Sequence, residues 1–153
     1  MWKSSTAYFA CMLDRGQLTA MLGRIWVLHA LELDQALRKA EIPLTADQFR
    51  LMQLLWTRDR GHQEYYARKL GRDRSALTRM IQLLEKAGYL VRLADQGDQR
   101  AKKVALTEKG WALQVPAEAC ANEILLKMWD GFMSEEREQL NDILSRLRHN
   151  LMG

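Results

Sequence analysis

At 153 residues the chain is long enough for one domain with a sizeable core, and its 48% apolar content excludes wholesale disorder. The formal net charge of +4 is modest for a protein that meets nucleic acid, so the distribution of charge matters more than its total. From Thr57 to Gly110 there are 13 basic and 7 acidic side chains, a net +6, which leaves −2 for the two arms.

The first predicted helix runs from about Gln17 to Lys39. Leu18, Met21, Leu22, Ile25, Leu28, Leu33, Ala36 and Leu37 recur along it at helical spacing, and Ile42-Pro43 ends it. Before it, Ala7–Leu13 is apolar but short for a signal segment, with Asp14 and Arg15 directly behind. No apolar run approaches the ~20 residues of a membrane span, so the expectation is a cytoplasmic chain without a membrane partner.

Thr45 caps a second helix in a capping box with Gln48, and Phe49, Met52, Leu55 and Trp56 form its buried face. Gly61 breaks the chain. A short helix follows from Gln63 to Leu70, Gly71 turns, and Asp73 caps a helix to Ala87 that Gly88 closes. Tyr89–Leu93 and Ala101–Leu106 read as strands joined by ADQGDQR, with Gly97 in the turn. Thr107 caps a long helix that Pro116 should kink, and Ser134 caps the last, which carries Leu140, Ile143, Leu144, Leu147 and Leu151. A short helix, a turn, a second helix and a hairpin make a winged helix-turn-helix in a mainly α chain.

The helix in DRSALTRMIQLLEKAG, residues 73–88, divides into two faces. Leu77, Ile81 and Leu84, widened by Met80 and Leu83, form the apolar stripe. Arg74, Ser75, Thr78, Arg79 and Gln82 form the other face. Arginine can pair bidentately with guanine and glutamine with adenine, while hydroxyls serve bases or phosphates. Any solvated helix face is polar, but such a face more often alternates Glu with Lys. In the hairpin beside it, Arg100 is placed to enter a minor groove, with Asp98 holding its guanidinium, and Lys102 and Lys103 are placed to meet phosphates.

The D-R-S…T-R…L-E-K-A-G helix, the D-x-x-D-x-R-A-K wing and the closing L-T-x-K-G resemble the MarR family of bacterial transcriptional regulators. The resemblance implies a homodimer interlocked through N- and C-terminal dimerisation helices, each subunit offering its two-stranded wing and reading helix to half of a palindromic double-stranded DNA operator. It divides the chain into a dimerisation helix with its extension (1–42), a winged helix-turn-helix DNA-binding domain (43–110) and C-terminal dimerisation helices (111–153). It also implies that Asp98 and Arg100 are the wing pair, and that Arg74, Ser75, Thr78 and Arg79 face bases and phosphates. The chain departs from the family where Tyr65-Tyr66-Ala67 stands in the short helix in place of a Leu-Ala pair, and before Leu18, where no family motif matches.

Members of the family commonly bind small aromatic or phenolic acids between the dimerisation helices and the DNA-binding lobe. Trp26, His29, Arg50, Trp56, Tyr66 and Trp111 are the candidates here, aromatic rings with one cation for an anionic aromatic effector. Tryptophans placed like Trp26 and Trp56 are more often core, and a histidine on an apolar helix stripe, as His29 is, is commonly a core or interface residue. The expected function is therefore a repressor released by such a ligand. Cys11 and Cys120 leave a thiol-based redox sensor as an alternative, and a winged helix used only for protein contacts is another. Scattered histidines, the lack of a CxxC pair and the lack of a glycine-rich phosphate loop argue against a metal, a cofactor or an enzyme.

Overall fold

The structure, a computed structural model, describes residues 4–94 and 102–152, with side chains from Arg15 onward except those of Ala94 and Lys102. Two compact units divide the chain, Met1–Ala121 and Asn122–Gly153. In order, the elements are α1 (Ser4–Lys39), α2 (Ala46–Thr57), β1 (Gly61–His62), α3 (Gln63–Leu70), α4 (Arg74–Lys86), β2 (Leu90–Ala94), β3 (Lys102–Leu106), α5 (Glu108–Ala112), α6 (Gln114–Met128) and α7 (Ser134–Met152).

Local chemistry sets most of the boundaries. Thr45 Oγ1 accepts from Gln48 N at 3.2 Å while Gln48 Oε1 accepts from Thr45 N at 2.9 Å, the reciprocal box that starts α2. Asp34 Oδ1 also accepts from Ala46 N at 2.6 Å and so fastens that start to α1. Gly71 and Gly88, at φ 61° and 82°, take the left-handed conformation that ends α3 and α4.

Three boundaries differ from the sequence-based expectation. First, α1 begins at Ser4, well before Gln17, because nothing from Ser4 to Gln17 breaks a helix except Gly16, which a helix tolerates. Second, the long helix after Thr107 separates into α5 and α6 at Leu113 rather than at Pro116 itself. Proline lacks the N–H that would donate to the carbonyl four residues back, and its ring crowds that carbonyl, which belongs to Ala112, the last residue of α5. Third, Ser134 is the first helical residue of α7 and not its cap. Arg137 N donates to Met133 O, and Glu136 reaches back to accept from Met133 N at 2.9 Å.

The sheet is antiparallel in the order β1-β3-β2, so the hairpin gains a third strand. β2 and β3 pair from Leu90↔Leu106 to Ala94↔Lys102, and β1 adds Gly61↔Val104 and His62↔Lys103. Asp59 Oδ1 accepts from Leu106 N at 2.9 Å, which ties the loop before β1 to the end of β3.

In the first unit Leu33 and Leu37 of α1, Leu51, Met52 and Leu55 of α2, Leu77, Ile81 and Leu84 of α4, Leu90 and Val104 are fully buried. Tyr66 lies among them with no exposed surface. Its hydroxyl accepts from Gly61 N at 3.0 Å and donates to Arg58 O. Burial pushes the phenol pKa up, so the hydroxyl stays a donor at neutral pH. A Cβ on residue 61 would collide with that hydroxyl, so Gly61 and Tyr66 fit only as a pair. The aromatic departure in the short helix is thereby accounted for. Trp56 reaches across in the same way, donating from Nε1 to Gly110 O at 3.1 Å, its ring edge-on to Phe49.

The upper half of α1 is different. Leu18, Met21, Leu22, Ile25 and Leu28, the first part of the predicted stripe, are 41–59% exposed, as are Val27 and Leu31 on another side of the helix. In the second unit α7 buries none of its residues, and Ile143, Leu144 and Leu147 are exposed at 38–51%. Contiguous apolar surface of this extent marks a contact region.

Gly61→Ala is expected to lower unfolding stability by about 1–3 kcal/mol through overpacking, measured by urea denaturation. Unchanged stability would show that the Tyr66 ring can shift at no cost.

Candidate nucleic-acid interface

α4 is built to show one face. Leu77, Ile81 and Leu84 seat it in the core, which leaves Arg74, Ser75, Arg79 and Gln82 exposed and Thr78 half-buried at the edge. Leu83, expected to widen the apolar stripe, is 60% exposed, because the helical turn carries it to the flank of Arg79 and Lys86.

The first turn is held by Asp73. Its Oδ1 accepts from Ala76 N at 2.8 Å and from Ser75 Oγ at 2.7 Å. These bonds, the Ala76 amide first, hold the Asp73 carboxyl below the usual carboxylate range. Thr78 Oγ1 donates to Arg74 O at 2.7 Å. Both hydroxyls of this face are thus spent as donors within the helix and present acceptor lone pairs outward. A hydroxyl in that state suits a base amino group better than a phosphate. The guanidinium groups of Arg74 and Arg79 and the amide of Gln82 remain the exposed donors.

The hairpin sits against the far end of α4. Arg92 on β2 places Nε 3.3 Å from Glu85 Oε2, joining the strand to the last turns of the helix. Thr107 Oγ1 donates to Gly88 O at 2.7 Å, and Lys109 Nζ to Ala87 O at 2.9 Å. The other strand's Lys103 is half-buried. Asp98 and Arg100 lie outside the described residues, as does the side chain of Lys102.

The candidate ligand residues fall into two groups. Trp26, His29 and Arg50 come together where α1 meets α2. The Trp26 and His29 rings stack at 6.2 Å, and the Arg50 guanidinium lies 4.1 Å from the centre of the Trp26 ring, a cation–π contact on a half-exposed indole. Burial lowers the pKa of Arg50 from its ordinary value, and Arg72 pushes the same way while Asp47 opposes both. Trp56 and Tyr66 are interior, with their polar tips satisfied by backbone groups. Trp111, on α5, is 41% exposed.

Sequence reasoning did not single out Asp47 and Arg72. Asp47 Oδ1 lies 3.3 Å from Arg50 Nη1, and Asp47 Oδ2 lies 2.5 Å from Arg72 Nη2. The i,i+3 spacing of Asp47 and Arg50 was a visible signal. Arg72 arrives from 25 positions away and had none.

The family model described as MarR family matches residues 44–102, from the start of α2 to the first residue of β3. The chain carries a MarR-family domain. Solved structures share its fold across nearly the whole length. A MarR transcriptional regulator from Methanosarcina mazei Go1 is 23% identical with a TM-score of 0.79, over 90% of this chain and 97% of that one. Reduced AbfR bound to DNA is 21% identical with a TM-score of 0.79, over 93% and 97%. CouR from Rhodococcus jostii RHA1 bound to p-coumaroyl-CoA is 24% identical with a TM-score of 0.74, over 85% and 90%. The fold is that of MarR-family transcriptional regulators, mostly helical around a winged helix. Among the described residues no helix is long and apolar enough to cross a membrane.

Because the Asp73 carboxyl is depressed in the folded state, its capping contribution is present above the unfolded value, about 3.9, and is lost as pH falls through the folded value. Asp73→Asn should keep the cap but remove this part of the acid sensitivity, while Asp73→Ala should lower the melting temperature already at neutral pH. Thermal melts between pH 7 and pH 3 check both. An Asn variant with the same acid profile as the parent would remove Asp73 from the account.

Proposed function

We propose that this chain is a transcriptional regulator that binds double-stranded DNA in a sequence-specific manner, as a homodimer on a palindromic operator. The observation that carries the reading is the outward face of α4, where Arg74, Arg79 and Gln82 stand exposed beside a hairpin anchored to the same helix. A helix of this length fits a major groove, and arginine and glutamine match the acceptor and donor patterns of guanine and adenine there. Asp98 and Arg100 belong to the wing tip in this reading, with Lys102 and Lys103 adding phosphate contacts. That a fold-mate, AbfR, has been seen on DNA supports it.

The dimer follows from apolar surface. The exposed Leu18, Met21, Leu22, Ile25 and Leu28 of α1, and the Leu/Ile stripe of α7, need cover from a second copy. Two copies on one face of the duplex set the reading helices about one helical turn apart.

Repression with release by a small aromatic or phenolic anion is the regulatory reading. The Trp26–His29–Arg50 cluster offers a π face and a guanidinium to such a ligand. CouR, of the same fold, holds p-coumaroyl-CoA, an aromatic thioester. Bound ligand acts by favouring a dimer geometry in which the helix spacing no longer matches the operator. Of the two cysteines behind the redox alternative, the Cys120 thiol is 7% exposed and lies 3.9 Å from the Ala36 carbonyl, while the side chain of Cys11 lies outside the described residues.

Fluorescence anisotropy with duplexes selected from random sequence tests the DNA reading, with random competitor in excess. Saturable binding that survives the competitor is the expected result, and binding that competes away rejects it. Arg79→Ala should cost about 1–3 kcal/mol at one half-site position, and a uniform loss across sequences would reassign Arg79 to phosphate. Replacing Leu22 and Ile25 together by Glu should turn a dimer into a folded monomer, as both side chains are exposed in the single chain. Light scattering reads the outcome, and an unchanged dimer would place the interface elsewhere.

A further inference from the structure

The cluster at Trp26 and the turn that opens α4 share one carboxylate. Asp47 accepts from Arg50 through Oδ1 at 3.3 Å and from Arg72 through Oδ2 at 2.5 Å. Arg50 lies over the Trp26 ring. Arg72 directly precedes Asp73, the cap of α4, and stands two residues ahead of Arg74. A continuous set of contacts therefore runs from an aromatic face on α1, through the first turn of α2, to the start of the reading helix. Asp34, the other carboxylate at this corner, accepts from Ala46 N and holds α2 to α1.

Two guanidinium groups share one carboxylate, each on its own oxygen. The side chains of Asp47 and Arg72 are 45% and 42% exposed, and that of Arg50 is 28% exposed. Ion pairs at such exposure are weak, so the carboxylate can shift between its partners at little cost. Arg72 is separated from Arg74 by at most about 7 Å of chain. Arg72 therefore adds to the positive charge at the head of α4, a contribution that salt screens over about 8 Å.

We propose that Asp47 is a positioning residue that couples occupation of the Trp26–Arg50 site to the charge at the start of α4. An aromatic carboxylate seated on Trp26 draws the Arg50 guanidinium to itself. Asp47 is then left to Arg72 alone, and the cation at the head of the reading helix is more fully neutralised. DNA affinity falls as a result. The inference rests on the DNA-binding reading above and adds the route by which that site reports to the interface.

Removing Arg50 imitates its capture by a ligand, so the test needs no identified effector. Affinities of the parent, R50Q, D47N and the R50Q/D47N double variant are measured by anisotropy on a duplex that the parent selects from random sequence. R50Q should weaken binding by about threefold more when Asp47 is present than when it is Asn, a coupling of the size met between charges that share a partner. Replacing Arg72 by Gln should abolish the excess as D47N does, and the excess should shrink as salt rises. Equal effects of R50Q in both backgrounds would overturn the coupling, and a coupling indifferent to salt would assign it to packing and overturn the electrostatic route. If the parent retains no duplex at all, it is the DNA-binding reading that fails, and the variants are not needed to see it.

Discussion

A phenol buried under a glycine holds the winged helix together. The Tyr66 hydroxyl meets the Arg58 carbonyl at the end of α2 and the Gly61 amide at the start of β1, while its ring fills the space behind α3. Three consecutive elements are thereby fixed to one side chain. β1 then pairs with β3, which carries the hairpin, and α3 packs against α4. The position of α4 relative to the hairpin depends on this contact. A leucine there would fill volume but leave an amide and a carbonyl without their partner, at a cost of about 1–3 kcal/mol for each group left unsatisfied and shielded from water.

The face that α4 presents is an outcome of that seating. With Leu77, Ile81 and Leu84 locked inward, the other side must hold Arg74, Arg79 and Gln82 outward. The hydrogen bonds of Ser75 and Thr78 refine the picture, since both hydroxyls already donate within the helix. The guanidinium and amide groups are the donors that the face leaves exposed. Net charge alone would not have distinguished this surface. What distinguishes it is that basic residues concentrate between Thr57 and Gly110, the stretch that contains α4 and the hairpin, while the rest of the chain is slightly acidic.

Outside the winged helix, unburied apolar surface dominates. The part of α1 from Leu18 to Leu31 shows apolar side chains on more than one side, and α7 buries none of its own. A helix that is apolar around most of its circumference is stable in water only when covered. Asp47 lies between α1 and α4, with one arginine toward each. Its weakness as an ion-pair partner is what makes it suitable as a junction, because a rigidly held carboxylate would not respond to a change at either end.

The sequence by itself determined the order of the long helices and the hairpin, the caps at Thr45, Asp73 and Thr107, and the two faces of α4, because each rests on neighbours within four residues. It also carried the wing and helix motifs of the MarR family. It mislocated the break before Pro116, because a proline acts on the carbonyl four positions back. It missed β1, since two residues carry no periodicity and become a strand only through pairing with Val104 and Lys103. Of the six aromatic and cationic candidates, Trp56 was already legible on the buried face of α2, whereas the tertiary structure alone gathered Trp26, His29 and Arg50 while sending Tyr66 inside. It alone brought Arg72 to Asp47. Such choices depend on which helix packs on which, and side-chain type says nothing about a partner 25 residues away.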